Sequence, residues 1–151
     1  MRMLAFLLVF SVLLAGFAAG AAPSQEDAIK ATALDYIEGW YTGDAARMER
    51  ALHPDLAKRI VMTGPDGHAT VQNMTAEQLV DATRAGAGTR TPEDQRRMDV
   101  DVLDVYENVA SVRVTATDWV DYLHIGRVDG EWKIINVLWE LTPEAKARMG
   151  R

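Results

Sequence analysis

From Glu26 onward, apolar residues recur at helical spacing: Ile29, Ala33, Ile37 and Trp40, with Leu34, Tyr36 and Tyr41 widening the stripe. The pattern predicts an amphipathic helix that ends at Gly43. Asp44 is placed to cap a second helix, Ala45 to about His53, where Pro54 forbids continuation. A short strand, Ala57 to Met62, a turn at Gly64-Pro65-Asp66-Gly67 and a short partner, His68 to Gln72, follow. Thr75-Ala76-Glu77-Gln78 matches a capping box and starts a third helix to about Ala85, which Gly86-Ala87-Gly88 stops. Thr89 to Asp94 reads as a polar loop, positioned to cover the mouth of whatever the next segment builds.

After Arg97 the period changes from helical to two. Arg97 to Val102 alternates on one phase and Leu103 to Val105 on the other, so one extra residue near Val102-Leu103 predicts a β-bulge before the turn at Glu107-Asn108. Asp129-Gly130 is the strongest turn signal in the chain, because a two-residue type I′ loop needs positive φ at both central positions. It sets Val128 opposite Glu131, Arg127 opposite Trp132, Ile125 opposite Ile134, Leu123 opposite Asn136 and Asp121 opposite Leu138. A turn at Asp118-Trp119 sets Ala116 opposite Asp121, Val114 opposite Leu123 and Val112 opposite Ile125. One sheet face then carries Val112, Val114, Ala116, Asp121, Leu123, Ile125, Trp132, Ile134, Asn136 and Leu138. The other, more polar face carries Arg113, Tyr122, His124, Ile135, Val137 and Trp139. A bent sheet with an apolar concave face needs helices or a ligand to fill it, which makes this an α+β chain.

Composition adds an address and removes some partners. Met1-Arg2-Met3, the apolar run Leu4 to Ala19 and the small residues Gly20-Ala21-Ala22 read as a secretory signal cut after Ala21, leaving residues 22–151 as one domain. The apolar run sits at the low end of the roughly 17–25 residues that a membrane span needs. With an Ala- and Arg-rich composition, the expected location is secreted or periplasmic in a bacterium. The chain of 151 residues has a net charge of −6 and no cysteine, so its core must hold it without disulfides. An acidic surface lacking a basic cluster argues against nucleic acid and against anionic membranes as partners.

Asp121 and Asn136 are the most informative polar residues, since polar groups on an apolar face must find partners. They point to a pocket, walled by Leu123 and Leu138, that presents a carboxylate and an amide to a small polar ring. A buried carboxylate can serve as a general base; alternatively, Asp121 satisfies backbone donors or a helix end. Tyr36 and Trp40, on the helix that crosses the concave face, are placed to stack on a flat ligand. His53 either complements the dipole of the second helix or hangs over the pocket and pairs with Asp121. No metal-ligand spacing is present and no cofactor is implied. Val120, Ile135, Val137 and Trp139 form an apolar patch on the outer face, which a homodimer would cover.

Tyr36-Ile37-Glu38-Gly39-Trp40-Tyr41-Thr42-Gly43-Asp44, followed by Arg47-Met48 and Leu52-His53-Pro54-Asp55-Leu56, resembles the opening signature of the putative lumazine-binding branch of the nuclear transport factor 2-like (NTF2-like, SnoaL-like) superfamily. Asp121-Tyr122-Leu123-His124 and Gly130-Glu131-Trp132-Lys133-Ile134-Ile135-Asn136-Val137-Leu138-Trp139 resemble its closing signature. The resemblance covers essentially all of residues 22–151. It implies a cystatin-like α+β cone, with three N-terminal helices packed on a strongly bent antiparallel sheet, one pocket, and a homodimer formed through the outer sheet face. It also implies a small ligand, aromatic or pteridine-like. Related folds host isomerases, dehydratases, hydrolases and ligand carriers. The expected function is therefore a secreted or periplasmic small-molecule-binding protein. The alternatives are a proton-transfer enzyme of the isomerase or dehydratase type with Asp121 as base, and an accessory dimerisation domain.

Overall fold

The computed structural model describes residues 23–149, so the expected signal segment and the expected cleavage site lie outside the described residues. Helix α1, Gln25–Thr42, starts at Ser24, whose side chain forms a capping box with Asp27, and stops at Gly43 in the left-handed conformation. Helix α2, Ala45–Ala51, is capped by Asp44 as expected but ends earlier than Pro54 alone would require. Leu52–Thr63 is instead strand β1. Leu52 already pairs with a neighbouring strand, and the register breaks between Leu52 and Ala57, where Pro54 lacks an N–H to give the ladder.

Strand β2, Ala69–Thr75, leads into helix α3, Ala76–Arg84, through the expected Thr75–Gln78 capping box. Short 3₁₀ turns at Ala87–Arg90 and Glu93–Gln95 take up most of the Thr89–Asp94 loop. Strands β3 (Met98–Tyr106), β4 (Val109–Ala116), β5 (Trp119–Val128) and β6 (Glu131–Leu141) form the meander, and helix α4, Pro143–Met149, closes the described chain. Among the described residues there are thus four α-helices, not only the three N-terminal ones expected. The start of α4 carries a readable signal: Thr142 accepts from the Ala145 N–H, and Pro143 occupies the first helical position.

All six strands belong to one sheet, in the order β2-β1-β6-β5-β4-β3. The sheet is mixed rather than antiparallel throughout, because β1 runs parallel to β6. Helices α1 and α2 carry the chain across the sheet before β1, so β1 enters beside β6 already running in its direction.

Two register errors had opposite consequences. The bulge expected near Val102-Leu103 is present, as a shift between Val102 and Asp104. Between β4 and β5 the turn is Thr117-Asp118 rather than Asp118-Trp119, so Val114 faces Asp121 and Val112 faces Leu123. That slip of two residues leaves every side chain on its expected face. The Asp129-Gly130 turn has the positive φ values of 50° and 88° that it requires, and pairs Arg127 with Trp132 and Ile125 with Ile134. A second bulge, at Ile135, then sets His124 opposite Asn136, Leu123 opposite Val137 and Asp121 opposite Trp139. A slip of one residue inverts the strand's faces. Val137 is fully buried and Trp139 turns inward, whereas Leu138 is 51% exposed.

The concave face packs on α1 through Ile29, Ala33 and Ile37, with Met48, Leu79, Val112, Val114, Leu123, Ile125 and Ile134 also almost wholly buried. Each large aliphatic side chain buried there contributes about 1.5–3 kcal/mol. Among the described residues no helix is long and apolar enough to cross a membrane.

Candidate functional site

Strand β5 alternates Asp121, Leu123 and Ile125 inward, and β1 alternates Leu56, Lys58 and Ile60 inward. Each strand therefore delivers one charge into the apolar core. Asp121 has no exposed surface and Lys58 is 8% exposed. They start two strands apart. Lys58 extends across β6 over the indole of Trp139, its Nζ 4.8 Å from the ring centroid, and reaches Asp121 Oδ1 at 2.5 Å.

Nζ also donates to the Tyr36 hydroxyl at 2.8 Å, and that hydroxyl donates to Asp121 Oδ2 at 3.0 Å. Trp119 Nε1 donates to the same oxygen at 2.7 Å. Among the described residues no buried side-chain nitrogen or oxygen is left without a partner. Such saturation is what allows an ion pair to persist in a core. Burial, and then the charge of Asp121 and its hydrogen bond, push the Tyr36 hydroxyl well above the usual tyrosine value. Burial pulls the Lys58 ammonium below the usual lysine value, although Asp121 opposes that shift.

Beside this cluster lies a cavity of about 160 Å³, lined by Tyr36, Trp40, Lys58, Met74, Leu79, Trp119 and Trp139. The wall is almost entirely ring and thioether. Lys58 is its charged member, and Asp121 sits behind the groups that donate to it. Trp40 and Trp119 meet edge to face at 6.2 Å and also wall a larger cleft of about 790 Å³ that includes Gly88, Arg90, Arg97 and Arg148. Gly88 lets the 3₁₀ turn lie directly on Trp40: a Cβ there would fall 2.2 Å from the Trp40 carbonyl oxygen.

Of the residues singled out in the sequence, Tyr36 and Trp40 line the cavity, Asp121 organises its polar end and Leu123 is buried in the core. Asn136 is on the opposite face, where its Oδ1 accepts from Arg59 at 2.8 Å and its Nδ2 lies 3.3 Å from His124 Nδ1. Leu138 is on that outer face as well. The bulge at Ile135 moved both, and it brought Trp139 in, which sequence reasoning had placed outside with Val137. His53 is half-buried and takes a hydrogen bond from the Asp55 N–H at 3.1 Å, away from the cavity lining. The exposed apolar residues of the outer face include Tyr122, Ile135 and Leu138.

Sequence reasoning missed Lys58, Trp119, Met74 and Leu79. A signal for Lys58 existed, because Leu56-x-Lys58-x-Ile60 puts a lysine on the apolar phase of a strand. Among the described residues no group of three or more His, Asp or Glu is placed to hold a metal ion. The arrangement can take a flat, one-ring-sized apolar molecule among the indole and phenol rings, beside Lys58.

A model of the family described as putative lumazine-binding matches residues 24–140. The protein named aldolase FrzH, from Cladobotryum sp, is 24% identical over 127 residues, which span 80% of this chain and 94% of that protein. Among solved structures, an NTF2-like protein of unknown function from Methylobacillus flagellatus KT superposes with a TM-score of 0.63 at 20% identity, covering 84% of this chain and 99% of its own. One from Shewanella baltica OS155, also of unknown function, superposes with a TM-score of 0.59 at 19% identity, covering 77% and 92%. At these identities the structural likeness establishes the NTF2-like fold.

Proposed function

The chain belongs to the putative lumazine-binding family, and from that premise we propose that it binds a small, flat, largely apolar molecule in the aromatic cavity between α1 and the sheet. One observation carries this reading. The cavity of about 160 Å³ is walled by Trp40, Trp119, Trp139 and Tyr36 and offers a single charged group, Lys58. A dry apolar cavity of about 150 Å³ is known to accept benzene, so a cavity of this size suits one aromatic ring. A fused pteridine needs more room. Parting of the Trp40 and Trp119 pair toward the larger cleft they also wall would supply it. In this reading Asp121 serves the ligand through Lys58, Tyr36 and Trp119, which it holds in place around the cavity.

Titrating the protein with benzoate, phenol and lumazine while following tryptophan fluorescence tests the proposal. The one-ring compounds should quench, and a Leu79→Trp variant, which fills the cavity with its own side chain, should not respond. Absence of any response in the wild type, or an equal response in Leu79→Trp, would sink the reading.

A second reading, a proton-transfer enzyme acting on a carbonyl compound, is favoured by the 2.5 Å contact between Lys58 and Asp121 at the cavity and by the aldolase among the relatives. With Asp121 as the base, reaching a substrate in the cavity through the Tyr36 hydroxyl, Asp121→Asn should abolish turnover; undiminished turnover rules the role out. Two further expectations belong to the same proposal. Export after cleavage following Ala21 is checked by N-terminal analysis of protein from its host. Pairing of two copies over Tyr122, Ile135 and Leu138 is checked by light scattering of wild type against Leu138→Glu, which should be monomeric.

A further inference from the structure

The reading of the cavity as a ligand site leaves one of its features unused. Among the described residues Lys58 is the only amine on the wall, and it is held away from water by aromatic rings. We propose that Lys58 is a carbonyl-reactive amine, which condenses with a small aldehyde or ketone carried on an aromatic or short apolar group to form an iminium in the cavity. The proposal rests on the ligand-site reading and deepens it by naming the reactive group of the ligand.

Three features of the geometry support it. First, a lysine is nucleophilic only when neutral, and a desolvated lysine is the usual source of an imine-forming amine. Asp121 Oδ1, 2.5 Å from Nζ, is placed to take the proton. Transfer within the pair turns two charges into two neutral groups, so the net charge of the core does not change while the lone pair is freed. Burial acts in the same direction on Lys58. Second, Asp121 and the Tyr36 hydroxyl both contact Nζ or each other, which supplies a route for protons between nitrogen and a departing oxygen. Third, Nζ lies over the Trp139 ring at 4.8 Å, and a π face stabilises a cationic nitrogen. The iminium keeps the positive charge where the ammonium had it.

The step balances without any further reagent. The Nζ lone pair attacks the carbonyl carbon, a C–N bond forms and the C=O π bond breaks, with Asp121 returning the nitrogen's proton to the oxygen through Tyr36. The carbinolamine then loses a second nitrogen proton by the same route, and the C–O bond breaks as water leaves. The sum is one ammonium plus one carbonyl compound giving one iminium plus one water.

The test incubates the full chain at neutral pH with benzaldehyde and sodium cyanoborohydride, which fixes an iminium as a secondary amine, and maps the labelled lysines by mass spectrometry. The other lysines are Lys30, Lys133 and Lys146, none of which lines the cavity. Each unit by which a lysine's pKa falls raises its free-amine fraction about tenfold. Lys58 should therefore gain a benzyl group faster than any of the others. Lys58→Arg, which keeps a cation beside Asp121 but cannot condense, should lose this label and keep the rest. In parallel, toluene binding is followed by tryptophan fluorescence in both proteins. Toluene has the ring without the carbonyl, and its binding by Lys58→Arg reports a folded cavity. If toluene binds and Lys58 is labelled no faster than the surface lysines, the amine proposal is overturned and the ligand site stands. If toluene does not bind and Lys58 is not labelled, both fall. Should Lys58→Arg fail to fold, selective labelling in the wild type still decides.

Discussion

Replacing Lys58 by Met removes the cation and keeps most of the unbranched stem that packs on Trp139. The loss is then mainly electrostatic. It leaves the Asp121 carboxylate, with no exposed surface, held by the Tyr36 hydroxyl at 3.0 Å and the Trp119 indole at 2.7 Å but no longer neutralised. Removing one partner of a buried ion pair costs about 3–5 kcal/mol, which for a domain of this size lowers the melting temperature by roughly 10–20 °C. Asp121→Asn alone strands the Lys58 ammonium and should cost a similar amount. The double variant Lys58→Met/Asp121→Asn removes both charges, and its amide oxygen still accepts from Trp119 or Tyr36. It should cost only about 1–2 kcal/mol, far less than the sum of the single changes. Urea unfolding of the four proteins, followed by circular dichroism with the slope checked for constancy, measures each value. Lys58→Met costing under about 1 kcal/mol, or costs that simply add, would mean that the pair is solvated, and the argument for a desolvated amine would fail with it.

Tyr36 should resist ionisation until the protein unfolds, so alkaline titration by tyrosinate absorbance should show a step that Tyr36→Phe removes; complete ionisation of the folded protein near pH 10 would contradict this. The sign follows from its raised value: the neutral hydroxyl stabilises the fold fully below about pH 10.0, and this is lost as pH climbs through the folded value. Lys58 acts in the opposite sense, its folded form giving up the proton first, so its contribution grows as pH rises toward 10.5. Gly88→Ala puts a methyl group 2.2 Å from the Trp40 carbonyl and 2.6 Å from its ring, and should cost about 1–3 kcal/mol, read as a lower melting temperature; wild-type stability would refute the close approach. Asp35 is pushed up by partial burial, but hydrogen bonds from Arg50 and Arg47 outweigh that and hold it below the usual 3.8. Its stabilisation is present above that value and lost as pH falls through the lower folded one. Asp35→Asn should therefore flatten the acid limb of the stability curve, and an unchanged limb would speak against the pairing.

Features set by neighbours in the chain were legible in the sequence. Asp44 and Thr75 cap helices because a side-chain oxygen meets an N–H three residues away, and Asp129-Gly130 turns because both residues tolerate positive φ. The bulge in β3 was visible because its apolar residues switch phase at Val102-Leu103. That Asp121 faces inward was legible too, since Leu123 and Ile125 share its phase. The family signatures, the α+β class and the roles of Tyr36 and Trp40 in the cavity wall follow from the same kind of local information.

Two things depended on contacts that the local pattern does not encode. Ile134-Ile135-Asn136-Val137-Leu138 offers apolar residues on both phases, so nothing local marks the bulge at Ile135. Only tertiary packing decides that Val137 and Trp139 go in while Asn136 and Leu138 go out. The partner of Asp121 lies 63 residues away in sequence, and β1 must join β6 in parallel before Lys58 can cross Trp139 to reach it. The sequence by itself thus determined the elements and put a carboxylate in the core. Tertiary structure alone supplied its cation and the ring-lined cavity beside it, because a buried charge takes its partner from whichever strand the closed sheet brings within hydrogen-bond reach.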